Sequence, residues 1–109
     1  MSIYKERDGK IEIIFPINDL DSMTGEEVLE HVKSVIGEVD GVIVNFSRVN
    51  YLNSSGLREL IQTLKFVKDN NKKMVLTRMS ENIQKIFANT NLHRLFDIVD
   101  NDGQAKASF

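Results

Sequence analysis

A chain of 109 residues is long enough for one domain with a single modest core. With 41% hydrophobic residues, 28% charged residues and a net charge of −2, it reads as an ordinary globular protein and not as a nucleic-acid binder, which would carry a basic face. The absence of cysteine excludes disulfides, thiol catalysis and thiolate-bound metal.

Residues 1–8 contain no apolar signal region, and no apolar run approaches membrane-spanning length, so a cytoplasmic domain without membrane insertion is expected. Asp8-Gly9 reads as a hairpin turn between strands at residues 3–6 and 11–15. Pro16 stops the second strand, and Asn18-Asp19-Leu20-Asp21 reads as a loop. Thr24-Gly25-Glu26-Glu27 matches a capping box, in which the Thr24 hydroxyl and the Glu27 carboxylate satisfy backbone donors at a helix start. Val28, Leu29, Val32, Val35 and Ile36 recur at helical spacing, and Gly37 supplies a stop.

Residues 42–46 are apolar almost throughout, as expected of a strand covered on both faces. Leu57, Leu60, Ile61, Leu64 and Val67 form the stripe of the next helix, which Asp69-Asn70-Asn71-Lys72 ends. Residues 74–76 form another internal strand, Ser80 caps a short helix carrying Ile83, Ile86 and Phe87, and residues 95–99 form the last strand. A weak helix or tail follows from Asn101. The expected order is β-β-α-β-α-β-α-β-α: an α/β domain in which helices cover a mixed sheet.

The turn from the apolar strand into the second long helix holds Asn53-Ser54-Ser55-Gly56. Asn and Ser are preferred helix caps, so the segment has a purely structural reading. It also places serine hydroxyls at a helix start, where unpaired N–H groups and the helix dipole favour an added phosphate. The two readings are compatible. Asp21 precedes the first long helix; it serves as a turn or cap residue, or lies near Ser54 if both helices start at one edge of the sheet. His31 and His93 have no metal-ligand spacing, and the G-x-S-x-G elbow, the phosphate loop and the dinucleotide fingerprint are all missing. No catalytic residue, metal or cofactor is therefore expected, and the protein is not expected to be an enzyme.

The apolar strand followed by Val49-Asn50-Tyr51-Leu52-Asn53-Ser54-Ser55-Gly56-Leu57 resembles the STAS domain of anti-sigma-factor antagonists and sulphate-transporter tails. Leu20-Asp21, the segment from Ser80 to Phe87, and Asn91-Leu92 fit the same pattern, so the resemblance covers nearly the whole chain. It implies a mixed sheet with helices mainly on one face and a serine exposed at a helix start. It also implies partner switching. The antagonist binds an anti-sigma factor that is a serine kinase, phosphorylation ends that contact, and a serine phosphatase restores it. By position the modified residue is Ser54, and Asp21, Asn53, Ser55, Gly56, Leu57 and Arg58 fall on the contact surface. Two residues depart from the antagonists: Asn53 stands where aspartate is usual, and Arg58 where a small or apolar residue is common. An unphosphorylated STAS subunit of a signalling or lipid-transport assembly is the alternative that Asn53 supports.

Overall fold

The computed structural model describes residues 2–109. In chain order the elements are β1 (Ile3–Asp8), β2 (Ile11–Pro16), β3 (Asn18–Leu20), α1 (Ser22–Val35), β4 (Gly41–Asn45) and β5 (Val49–Leu52). They continue with α2 (Ser54–Asp69), β6 (Lys73–Thr77), α3 (Glu81–Asn89), β7 (Asp97–Val99) and α4 (Asp102–Ala107). Short 3-10 turns follow α1 at Ile36–Glu38 and α3 at Leu92–Arg94.

Five strands form one sheet in the order β1-β2-β4-β6-β7, antiparallel between β1 and β2 and parallel from β2 onward. The opening hairpin turns at Gly9 and Lys10, one residue later than Asp8-Gly9, because Asp8 still pairs with Ile11. Gly9 has φ +59°, a left-handed value that glycine adopts without steric cost.

Successive strand residues face opposite sides. Ile14, Val44 and Leu76 stand in register on the side of the main core, to which α1 contributes Val28 and Val32, α2 Leu60, Leu64 and Val67, and α3 Ile83 and Phe87. Ile13, Ile43 and Val75 form the opposite row and pack with Ala105 of α4. This explains the unbroken apolar pattern of the middle strands, both of whose faces are covered. Three helices lie on one face and only the short α4 on the other, so the expected order and one-sided layering hold for the main sheet.

Two local expectations are corrected. Asn18–Leu20 is no loop but β3, which pairs in parallel with β5 as a separate two-stranded ladder. The start of α1 is not set by a Thr24–Glu27 capping box: the helix begins at Ser22, and Asp21 is its cap. The Asp21 carboxylate takes the Thr24 amide at 3.0 Å, while Glu27 accepts instead from the Ser2 amide at 3.5 Å.

Buried polar groups have partners, as their desolvation requires. Glu12 on β2 is held by Arg7 Nε and His31 Nε2, each at 2.5 Å, which gives His31 a structural role. Asp102 accepts from Asn45 Nδ2 at 3.0 Å and from Thr77 Oγ1 at 2.6 Å, fixing α4 beneath the ends of β4 and β6. Among the described residues no helix is long and apolar enough to cross a membrane.

Candidate functional site

The site is built from two helix starts placed side by side. Asn53 is the cap of α2: its backbone is extended, and its side-chain oxygen accepts from the Gly56 amide at 2.8 Å. Asp21 does the same for α1. In both helices the residue after the cap is an exposed serine, Ser22 and Ser54. At the α2 start the Leu57 amide bonds to the Asn53 carbonyl at 3.0 Å, which leaves the amides of Ser54 and Ser55 as the open donors.

Gly56 brings the two starts together. A Cβ at this residue would overlap the Leu20 carbonyl and lie 3.0 Å from the Asp21 amide nitrogen, so α2 seats directly on the Leu20–Asp21 peptide. Gly25 of α1 makes the reciprocal approach: its Cβ would stand 2.5 Å from Cβ of Glu59 and 3.4 Å from the Gly56 carbonyl oxygen. The Asn53 amide also reaches the Leu20 carbonyl, at 3.4 Å. The β3–β5 ladder thus delivers both caps to one edge, and Asp21 lies beside the Asn53–Gly56 turn.

Of the site residues expected from the sequence, Ser54 and Arg58 are exposed, Asp21, Asn53, Ser55 and Leu57 are partly buried, and Gly56 is buried. Leu57 packs against the core and presents only part of its side chain. Sequence reasoning missed Met23 and Tyr51, which among the described residues are the most exposed large apolar side chains, at 70% and 55%. Met23 lies in the first turn of α1, and Tyr51 on β5 three residues before Ser54. The alternation of Tyr51 with buried Leu52 was the available signal, but it becomes readable only once β5 is recognised as a strand.

The Asp21 carboxyl is held below the ordinary aspartate range, chiefly by the hydrogen bond from the Thr24 amide. A lowered folded-state value means that this cap is fully in place above the unfolded-state pKa of about 3.9 and is lost as pH falls through the folded value. The melting temperature should therefore decline below about pH 4, and Asp21→Asn should flatten that part of the profile; thermal melts from pH 2 to 7 check this. Asn53→Ala should cost about 1 kcal/mol at every pH, since its cap carries no titrating group.

The two histidines bond elsewhere, His31 to Glu12 and His93 to the Phe87 carbonyl. What this edge offers is an exposed hydroxyl at a capped helix start, one ionised carboxylate nearby, and two exposed apolar side chains on the flanking elements. A surface cleft of about 530 Å³ between α3 and β7 is lined by none of these residues.

Residues 2–105 match the STAS domain family. The chain belongs to that family. The match spans the sheet, the paired helix starts and most of α4. Among the relatives of this STAS domain, the anti-sigma-B factor antagonist of Listeria monocytogenes is 26% identical over 102 residues, covering 92% of this chain and 89% of the relative. A Thermotoga maritima protein proposed to be an anti-sigma factor antagonist shares the fold with a TM-score of 0.87 at 18% identity, over 97% of this chain and 92% of that one. The phosphorylated form of SpoIIAA, a Bacillus cell fate determinant, gives a TM-score of 0.74 at 18% identity, over 98% and 99% of the two chains.

Proposed function

We propose that this STAS domain is an anti-sigma-factor antagonist, switched by phosphorylation of Ser54. The observation that carries the reading is the exposed Ser54 hydroxyl at the start of α2, beside Asp21, on an edge that also presents Met23 and Tyr51. The curated relatives named as antagonists support it, as does the SpoIIAA fold, which is known in a phosphorylated form. The partner is an anti-sigma serine kinase. Exposed apolar and aromatic side chains ringed by polar groups suit a protein interface, with Tyr51 and Met23 as its apolar anchors.

In the unmodified state a neutral hydroxyl occupies the centre of this contact, and the partner can cover it at little desolvation cost. The kinase transfers the γ-phosphoryl group of ATP to Ser54 Oγ. The new P–O bond forms as the bond to ADP breaks, and the hydroxyl proton passes to a base on the kinase. The product adds about −1.5 to −2 charges next to the Asp21 carboxylate. Covering such a group costs far more desolvation than covering the hydroxyl, and it no longer complements the surface that received the neutral serine, so the partner is released. A serine phosphatase restores the hydroxyl by transferring the phosphoryl group to water.

Binding measured by calorimetry against the anti-sigma kinase tests this reading. Ser54→Asp should weaken binding by about 100-fold, whereas Ser54→Ala should bind as wild type and fail to release with ATP. Equal affinity of the Ser54→Asp and wild-type proteins would overturn the switch. Asn53 supports one other reading, a permanent STAS subunit: it keeps the cap through its bond to Gly56 without the charge usual in antagonists. That reading predicts stoichiometric association indifferent to ATP.

A further inference from the structure

Arg58 lies four residues after Ser54 on α2, and both side chains are exposed. Residues spaced i,i+4 share one face of a helix. Helical side chains also lean toward the N-terminus, so a long side chain at 58 covers the turn that carries residue 54. Among the described residues no carboxylate pairs with Arg58; the ion pairs of the chain involve Arg7, His31, Lys33 and Lys106 instead. Two acids lie near this edge, and neither forms an ion pair with Arg58. Asp21, the cap of α1, accepts from the Thr24 amide, and Glu59 of α2 packs the base of its side chain on Gly25.

We propose that Arg58 is the built-in counter-ion of phosphorylated Ser54, closing over the phosphoryl oxygens with its planar pair of donors. This rests on the reading of Ser54 as the modified residue. A guanidinium matches phosphate geometry with two parallel N–H donors, and the charged partners strengthen those bonds. Modification then changes the contact surface in two ways at once: a phosphate appears, and the Arg58 guanidinium is drawn back from the partner onto its own helix. The pairing also offsets the repulsion from Asp21, so the modified state is held by the chain itself. A carboxylate at position 54 has less charge and shorter reach than a phosphoserine, so Ser54→Asp recruits Arg58 only in part.

The test uses full-length protein carrying phosphoserine installed at position 54 during translation, followed by phosphorus NMR through a pH titration. An adjacent cation favours the phosphate dianion and lowers its second pKa from about 6. Arg58→Gln should raise that value by about 0.5, and Arg58→Lys should recover most of the difference. Arg48→Gln, which removes an exposed arginine stacked on Tyr4 and Phe15, should leave it unchanged. The difference between wild type and Arg58→Gln should collapse in about 1 M salt, where screening acts within about 3 Å. Identical titrations of wild type and Arg58→Gln would overturn the pairing. Because the phosphate is installed without a kinase, this failure is distinct from that of the switch itself, which would appear as unmodified wild-type Ser54 after incubation with kinase and ATP.

Discussion

Gly56→Ala is expected to lower the melting temperature by about 10 °C and to abolish partner binding. The added methyl group would overlap the Leu20 carbonyl, a backbone atom that cannot turn aside as a side chain would. Alanine gains about 1 kcal/mol over glycine in helix propensity, but such overpacking costs about 3 kcal/mol, so the clash wins by about 2 kcal/mol. Relief requires α2 to lift from the Leu20–Asp21 peptide, which separates the two caps and displaces Ser54 from Asp21. Thermal denaturation and calorimetry on the same preparation check both effects. A Gly56→Ala protein as stable as wild type would show that the helix starts do not depend on this approach.

Phe87→Ala should be the most damaging core change, at about 4 kcal/mol and a loss of about 15–20 °C in melting temperature. The ring is fully buried and meets Phe46 edge-on at a centroid distance of 6.2 Å and Phe96 at 5.6 Å. It therefore joins α3, the end of β4 and the approach to β7. The cavity left behind cannot be filled by those two rigid rings, and the edge-to-face contacts are lost with it. Denaturant unfolding monitored by circular dichroism measures the loss. Because Phe87 packs in the interior and is no part of the Ser54 edge, affinity for the partner should survive at temperatures where the variant remains folded.

The parts of the fold legible in the sequence are those with a repeating pattern. Ile43 and Val44 could be assigned to an internal strand because adjacent residues are both apolar, and they do face opposite layers. Leu60, Leu64 and Val67 recur at the helical period and are the buried stripe of α2. The β3–β5 ladder had no such pattern. Asn18 and Asp19 are exposed and polar, Asn18 has φ 63°, and the pairing joins segments some thirty residues apart, so nothing local announces it.

The two capping frames around α1 show a different limit. Thr24 with Glu27 and Asp21 with Thr24 are both acceptable locally, and a sequence window cannot rank them. The structure adopts the Asp21 frame, with Gly25 in the first turn of α1 where it meets Glu59. Gly56 was legible as a small residue at a turn, but its role is different: it lies within α2, where a missing Cβ matters more than backbone freedom. Met23 and Tyr51 escaped notice because exposure of an apolar side chain is a property of the assembled surface.

The most direct test of the central proposal is to incubate the purified protein with its proposed partner, an anti-sigma serine kinase, and ATP. Phosphosites are then mapped by mass spectrometry, and kinase affinity is measured before and after. A single phosphate on Ser54, absent from Ser54→Ala and accompanied by about a 100-fold loss of affinity, is the predicted result. An unmodified Ser54 with an active kinase, or a phosphorylated protein that binds as tightly as before, would contradict it.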